Sequence, residues 1–469
     1  MKIHQPITLG TALTLLLTPG HAIAADTVDT QALLKKVEEL EQKVKLLEEE
    51  RDQDAGISAK RLKAAPTVSV GAGGLTVQSA DTNFVMHIRG YVQADNRYYP
   101  DKQAAGTSSD TFLLRRVRPV FEGTVYGMFD YKMMLDFPSG TVPTAGNNAF
   151  IQDVYMNARF APEFQVQVGK FKGPIGLERL QSARNLLFVE RGYPTELVPN
   201  RDIGAMVQGE LFDSRLSYAA GIFNGDGDGG SDDIETSDNE KDFEGRVFAN
   251  PFRNLKSGWL NGLGIGIAGS YGRQEGPPRP YTSMGQKNFF SYYTTAGAGT
   301  PNVLADGDHW RIVPQAYYYI GPFGIFGEYA LSSQQLRQAG GGAGAGRVAQ
   351  MFNRGWEVSA SYILTGEENS WSPLVPKHPV SLAERGWGAW EVAARAGQLT
   401  LDQAAFPIFA SSTLSAHQAT SWGVGLNWHL NRNIKVNLDY DQTYFSGGSG
   451  TAFTAKGEKV VMTRVQFTF

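Results

Sequence analysis

The residues best suited to chemistry in this sequence are arginines that recur at alternate positions of extended segments. One face of these segments carries Arg89, Arg97, Arg116, Arg118, Arg159, Arg246, Arg395 and Arg464. Three more arginines, Arg179, Arg184 and Arg191, fall in the intervening segment 173–200. A guanidinium stays charged at physiological pH, and its planar fork of donors matches carboxylate and phosphate oxygens. The pattern therefore predicts sites for small anions.

Carboxylates on the same face allow a different interpretation, in which the arginines pair within the protein and give no anion preference. The available partners are Glu122, Asp136, Asp153, Glu357, Glu391, Asp439 and Asp441.

Neither H-E-x-x-H nor G-x-S-x-G occurs, so we expect no enzyme activity, no metal and no cofactor. The G-x-G-x-x-G match at 264–269 consists of alternate residues of a strand, which excludes the dinucleotide turn.

The elements that carry the arginines are predicted strands with an apolar and a polar face. In the last strand, Val461, Thr463, Val465 and Phe467 alternate with Met462, Arg464 and Gln466 before the terminal Phe469. Such alternation over the whole chain is typical of an outer-membrane barrel, whose strands face lipid on one side and water on the other. Sixteen segments show it: 84–98, 112–126, 130–137, 149–160, 164–172, 201–211, 215–223, 243–250, 262–273, 309–319, 323–333, 353–365, 388–401, 419–430, 433–445 and 458–469.

The connections between these segments are alternately short and long, as in bacterial barrels. Two of them, 251–261 and 366–387, are long where a short turn is expected. Sixteen strands enclose a lumen that side chains cannot fill. We expect the long connection 173–200 to fold inside and narrow the lumen. The alternative is an external loop that caps the mouth. The acidic segment 224–242 is expected to be an exposed loop.

The predicted fold is all-β: a 16-stranded antiparallel transmembrane β-barrel over 81–469, preceded by a short coiled-coil helix. Residues 1–24 have the charged start, apolar run and Ala-x-Ala site of a signal peptide. In 25–52, Leu33, Val37, Leu40, Val44 and Leu47 form an a/d stripe that predicts self-association, with a dimer favoured by residue type. A helix packed on its own domain is the alternative. Residues 53–80 are predicted to be a linker. The 469 residues have a net charge of −4 and no cysteine, and we expect no nucleic-acid partner.

Four motifs resemble the family of phosphate-selective porins O and P, over about 84–469. They are residues 113–118 (LLRRVR), 169–178 (GKFKGPIGLE), 190–191 (ER) and 386–395 (GWGAWEVAAR). The resemblance implies a trimeric, sixteen-stranded outer-membrane porin with an arginine ladder that leads to a constriction loop. Some relatives carry a coiled coil before the barrel, which makes a trimeric bundle in the periplasm the expectation for this chain.

The resemblance also implies roles for individual residues. Arg116 would be a constriction arginine on the wall, faced by Arg191 from the loop. Ser182 would be a hydroxyl donor, Arg184 a basic loop residue and Asp153 the nearby acid. Two departures reduce the expected phosphate selectivity. Ala183 replaces a second serine, and the long loops contain few lysines.

From the residues and the resemblance together, we predict an outer-membrane porin through which small anions, phosphate or pyrophosphate foremost, diffuse passively. The predicted site comprises Arg116, Arg118, Asp153, Arg179, Ser182, Arg184 and Arg191. The expected partners are phosphate-like anions, outer-membrane lipid and two further copies of the chain. A general or differently selective porin with a charge-balanced lumen is one alternative. A structural barrel that anchors a periplasmic interaction module is another.

Overall fold

A computed structural model describes residues 30–100, 110–137, 150–231, 239–254, 258–294, 300–341, 344–448 and 457–469. The predicted signal peptide lies outside these residues. The chain divides into two units, Met1–Ala65 and Pro66–Phe469. The helices are α1 Thr30–Ala64 and α2 Leu177–Leu180, with short 3-10 turns at Tyr193–Leu197, Gly258–Leu260 and Gln403–Ala405.

The second unit consists mainly of antiparallel strands. Their bounds are β1 Thr67–Gly71, β2 Gly74–Gln78, β3 Val85–Tyr98, β4 Thr111–Val125, β5 Phe129–Asp136, β6 Phe150–Ala161, β7 Phe164–Phe171, β8 Asp202–Leu211, β9 Leu216–Phe223, β10 Asp242–Ala249, β11 Leu263–Gly276, β12 Tyr281–Thr282, β13 Asn288–Phe290, β14 Val303–Ile320, β15 Phe323–Gln338, β16 Val348–Ile363, β17 Ala389–Thr400, β18 Gln418–His429, β19 Ile434–Ser446 and β20 Glu458–Thr468. Strands β3–β11 and β14–β20 correspond one by one to the sixteen predicted segments.

These sixteen strands form a closed antiparallel barrel, which confirms the barrel part of the predicted fold. Each pairs with the next strand of the sixteen, and β20 returns to pair with β3 from Val461↔Tyr98 to Thr468↔Tyr91. The terminal Phe469 continues the ladder, because its backbone exchanges two hydrogen bonds with Gly90. Outward side chains such as Trp422 and Val424 are exposed and apolar, whereas Ser421 points inward and is buried. This is the division that a wall between lipid and water requires.

The segment predicted to be a linker, 53–80, is ordered, and that prediction is corrected. Helix α1 continues to Ala64 because the segment has no proline before Pro66 and its alanines, lysines and arginine favour helix. Strands β1 and β2 then form a hairpin, with Val68 opposite Val77. Strand β2 also pairs with β3, Leu75 opposite Ile88, so the hairpin extends the sheet beyond the end of β20.

The first unit is described by helix α1 alone. Its apolar stripe is exposed on the isolated chain, with 55% of Leu33, 57% of Leu40 and 63% of Leu47 accessible. Of the helices in the described residues, none combines the length and apolar character needed to cross a membrane.

Candidate functional site

The connection 173–200, here called the inner loop, folds inside the barrel. It leaves the wall after β7 and returns at β8, and its apolar residues Ile175, Phe188 and Val189 are completely or almost completely buried. The position of the inner loop therefore excludes the alternative of an external loop that caps the mouth.

Side chains of the opposite wall hold the backbone of the inner loop. On β19, Lys435 Nζ donates to Leu186 O over 2.8 Å, and Asp439 Oδ2 accepts from Val189 N over 2.5 Å. Arg464 Nη1 on β20 donates to Val189 O over 2.6 Å. A buried loop must satisfy its backbone donors and acceptors, and here inward polar residues of the barrel do so. Arg464 is thus an anchor of the loop.

An apolar cluster packs beside the inner loop. Tyr281, Phe290, Tyr292 and Phe409, from the connections between β11 and β14 and between β17 and β18, are buried there with Tyr193 of the inner loop. Rings such as Phe290 and Tyr292 pack edge to face, with centroids 4.9 Å apart.

A first cavity, of about 300 Å³, lies between the inner loop and the wall near β4. Six arginines line it: Arg115, Arg116, Arg118, Arg179, Arg191 and Arg201. The carboxylates in its lining are Asp136, Glu190 and Glu196. Arginines outnumber carboxylates two to one, so the cavity carries an excess of positive charge. The lining also includes Gly229 and Gln286 from connections at the long-loop end.

A second cavity, of about 520 Å³, lies towards the end with short turns, since Glu210 and Tyr218 line it. Arg118 and Arg201 line both cavities, so these two residues mark the junction between them. Asp153 and Ser182 also face this second cavity.

The consecutive residues Arg115 and Arg116 both reach the first cavity because strand β4 has a bulge. Opposite them, Gln93 of β3 pairs with Arg116, whereas Ala94 pairs with Leu114, so Arg115 is the extra residue of the bulge. A bulge re-aims a side chain by inserting one residue into the alternation. Strict alternation placed Arg115 towards lipid, so Arg115 was not among the predicted site residues.

Glu190 of the inner loop is the central carboxylate of the first cavity and is 3% exposed. Arg115 Nε lies 2.6 Å from its Oε1 and Arg97 Nη2 lies 2.9 Å away. Arg116 and Arg464 approach to 3.8 and 3.7 Å. Burial acts to raise the pKa of Glu190, but the charges of Arg115 and Arg116 dominate and hold it well below its ordinary value. Glu190 is therefore an anion at physiological pH.

The junction residues have carboxylate partners. Arg118 Nη2 lies 2.7 Å from Asp136 Oδ2, and Arg201 Nε lies 2.8 Å from Asp153 Oδ1. Lys132 Nζ approaches the other oxygen of Asp153 to 2.8 Å. Arg201 and Lys132 were not among the predicted site residues. Arg201 stands at the start of a strand, directly after the inner loop, and that position is the signal that could have identified it.

The two predicted loop arginines of the first cavity bend back onto the loop. Arg191 donates from Nη2 to Gln181 O over 2.7 Å, and Arg179 donates to Thr195 O. Burial lowers the pKa of Arg191 to about 9, and the charge of nearby Arg179 acts in the same direction. Because Arg179 and Arg191 place positive charges close together, an anion bound between them would reduce their mutual repulsion.

Several guanidinium donors at this site have no hydrogen-bond partner among the residues that the structure describes. Within the described residues, Nε of Arg97, Arg116 and Arg179 is buried without a hydrogen-bond acceptor. Buried donors are normally satisfied, so these three are exceptions within the described residues, and their burial keeps them out of direct contact with an ion in the cavity.

The seven predicted site residues do not all line the same cavity. Arg116, Arg118, Arg179 and Arg191 line the first cavity, and Asp153 and Ser182 the second, which Arg118 joins to the first. Arg184 instead faces a third cavity, lined by the segment 368–375.

The acidic segment 224–242 was predicted to be an exposed loop. For the part of this segment that the structure describes, the prediction is wrong. Asp228 is buried, with its Oδ1 2.9 Å from Nε of Arg311 and its Oδ2 3.1 Å from the hydroxyl of Tyr281. A buried arginine on the wall draws this carboxylate inward, a tertiary interaction that local composition does not reveal. No group of three or more His, Cys, Asp or Glu residues in the described part of the chain is arranged to hold a metal ion.

Comparisons with known proteins agree with this architecture. The model of the family described as phosphate-selective porin O and P matches residues 86–469. The outer membrane channel DcaP of Acinetobacter baumannii has 10% identity and a TM-score of 0.50, over 82% of this chain and 98% of that chain. OmpF of Salmonella typhi, solved in complex with daunomycin, has 10% identity and a TM-score of 0.52 with the same coverage. At this identity the two structures show a common fold alone. A comparison with curated proteins finds no match.

Proposed function

This chain belongs to the phosphate-selective porin O and P family, and we propose that its pore passes small anions, phosphate or pyrophosphate foremost, by passive diffusion. The family and the barrel are those of an outer-membrane porin, which is a channel and not an enzyme. The proposed path leads from the first cavity past Arg118 and Arg201 into the second cavity.

The observation that carries this proposal is the excess of arginine in the first cavity. Six guanidiniums face three carboxylates within about 300 Å³. Charged rings in a narrow pore favour ions of opposite sign.

The carboxylates along the proposed path favour release of an anion over tight binding, which supports conduction. Asp136 and Asp153 pair with the junction residues Arg118 and Arg201 and weaken their hold on a passing anion. A channel conducts only when binding is favourable enough for entry yet weak enough for release. We therefore propose a series of moderate sites without a single strong one.

The proposal is tested by Arg116→Ala and Arg191→Ala in planar bilayers, with zero-current potentials measured across a salt gradient. A charge about 6 Å from the ion is worth at least about 0.7 kcal/mol in a water-like medium, so we expect the anion-to-cation permeability ratio to fall about threefold or more. Arg253→Ala is the control, because Arg253 is exposed on the connection between β10 and β11. Selectivity that is unchanged in both variants would refute the proposal.

We also propose that the porin is a homotrimer in outer-membrane lipid and that α1 forms a periplasmic coiled coil with two other copies. The exposed stripe of Leu33, Val37, Leu40, Val44 and Leu47 supports self-association, since it would otherwise leave large apolar side chains in water. The short turns of outer-membrane barrels face the periplasm. The hairpin that follows α1 in sequence extends β3 at that end.

A further inference from the structure

The third cavity lies at the short-turn end of the lumen and has a volume of about 300 Å³. One wall is the inner loop, through residues such as Arg184 and Leu187. The other is the connection 364–388 between β16 and β17, here called the mouth segment. This connection is unusually long for its end of the barrel, and anion passage through the first two cavities does not involve it.

The mouth segment is held in place by an aromatic side chain. Trp371 stacks on Tyr317 of β14, with ring centroids 5.6 Å apart and an interplanar angle of 17°. It meets Phe326 of β15 edge to face, with centroids 5.9 Å apart. Asn369 adds a hydrogen bond of 2.7 Å from its backbone N to Gly321 O. The cavity therefore has a fixed wall on this side.

One part of the cavity lining is cationic. Arg89 is paired with Glu122 over 2.6 Å, and Lys435 donates to Leu186 O. Arg184 and Arg432 are different, because among the described residues neither guanidinium has a carboxylate partner. Burial lowers the pKa of Arg184, and the charge of Arg89 acts in the same direction. Two unpaired guanidiniums thus face a site that already has positive charge.

The carboxylates of the lining do not cancel this charge. Glu391 accepts a hydrogen bond of 3.0 Å from Asn427 Nδ2 and lies 3.4 Å from Nε2 of His429. Glu368 is exposed on the mouth segment. Neither forms an ion pair with Arg184 or Arg432 within the described part of the chain.

The other part of the lining is apolar. Leu187 comes from the inner loop, Tyr319 and Phe326 from the wall, and Leu374 and Val375 from the mouth segment. Inorganic phosphate gains nothing from such a surface. Pockets that combine an apolar wall with a few convergent polar groups are typical of sites for organic ligands, and about 300 Å³ suits a small one.

We propose that the third cavity binds small organic anions that carry an apolar group, with the anionic end on Arg184 and Arg432 and the apolar end against Leu374 and Val375. Phosphate monoesters and carboxylates share this chemistry. The inference rests on the proposed function, since such an anion reaches the cavity through an anion-conducting pore. The porin would thereby bind organic anions at a site separate from the arginine-rich first cavity.

The test measures binding of phenyl phosphate and of methyl phosphate to the purified full-length porin by isothermal titration calorimetry. Loss of one charge-assisted hydrogen bond costs about tenfold in affinity. We expect Arg184→Gln and Arg432→Gln each to raise the dissociation constant of phenyl phosphate about tenfold. Leu374→Ser should weaken binding of phenyl phosphate more than binding of methyl phosphate. Arg253→Gln is the matched control and should behave as the wild type.

The results separate this inference from the proposed function. Binding of phenyl phosphate that is as tight in Arg184→Gln, Arg432→Gln and Leu374→Ser as in the wild type would overturn the third site, and so would the absence of such binding in the wild type. If the wild type itself shows no anion preference in a salt gradient, the proposed function fails instead. Arg432 is exposed, so Arg432→Gln remains informative even if Arg184→Gln folds poorly.

Discussion

The sharpest single test of the arginine site removes a negative charge. Glu190 is the carboxylate that four arginines approach: Arg97, Arg115, Arg116 and Arg464. In Glu190→Gln the side chain keeps its size and can still accept hydrogen bonds, but its charge is lost. The excess of positive charge in the first cavity then rises by one. We expect stronger anion preference together with tighter anion binding.

The size of the effect follows from the geometry. Arg116 Nη2 lies 3.8 Å from Glu190 Oε2. An anion bound to the far side of that guanidinium adds about 2.8 Å, a usual length for a charge-assisted hydrogen bond. At roughly 6.6 Å, the carboxylate repels a monovalent anion by about 0.6 kcal/mol at a dielectric constant of 80 and about 2.5 kcal/mol at 20. Removal of the charge should raise anion occupancy by roughly threefold to seventyfold.

The assay is the zero-current potential in a salt gradient, combined with the phosphate concentration at which conductance saturates. For Glu190→Gln we expect a higher anion-to-cation permeability ratio and saturation at lower phosphate. Glu384→Gln is the control, because it removes the same charge from an exposed position on the mouth segment. A folded Glu190→Gln porin whose selectivity and saturation match the wild type would show that the permeating ion does not pass these arginines.

Two further predictions concern pH and assembly. Since the pKa of Glu190 is held well below 4.5 by Arg115 and Arg116, its ion pairs stabilise the barrel fully above about pH 4.5 and are lost only as pH falls through the lowered value. The difference in thermal midpoint between the wild type and Glu190→Gln should therefore stay constant from pH 8 to 5 and shrink in stronger acid. The chain has no cysteine, so oxidation of a Leu47→Cys variant should cross-link α1 between copies. Lys45→Cys, outside the stripe, should cross-link much less, and equal cross-linking would contradict a coiled coil through Leu47.

The barrel could be predicted because its determinants are local. Alternation between lipid and lumen is imposed on every strand, as Val465 and Arg464 illustrate, and it requires no knowledge of distant contacts. Arg116 and Arg118 were located by the same alternation, and the structure places both in the first cavity. The inner loop was predictable in position, since its mixture of apolar and charged residues suits a loop packed against a wall.

The remaining parts of the site depend on long-range geometry. The bulge at Arg115 is a property of the pairing between β3 and β4 and leaves no periodic signal in either strand. Arg184 lies only seven residues from Arg191, yet the path of the inner loop carries the two side chains to different cavities. The burial of Asp228 depends on Arg311, which is 83 residues away in the sequence. Composition and spacing cannot specify such contacts.

Glu190 contributes both to the charge balance of the first cavity and to the position of the inner loop. Its carboxylate offsets the mutual repulsion of arginines crowded into a small cavity, and a buried group of like charges is costly without such a partner. Its backbone O accepts from Arg395 Nη1 over 2.7 Å, and the preceding Val189 is held by Arg464 and Asp439. Substitution of an arginine to alanine changes charge, packing and these contacts together. Glu190→Gln changes the charge while leaving the backbone anchors in place, so a change in selectivity without a change in the fold would isolate the electrostatic contribution.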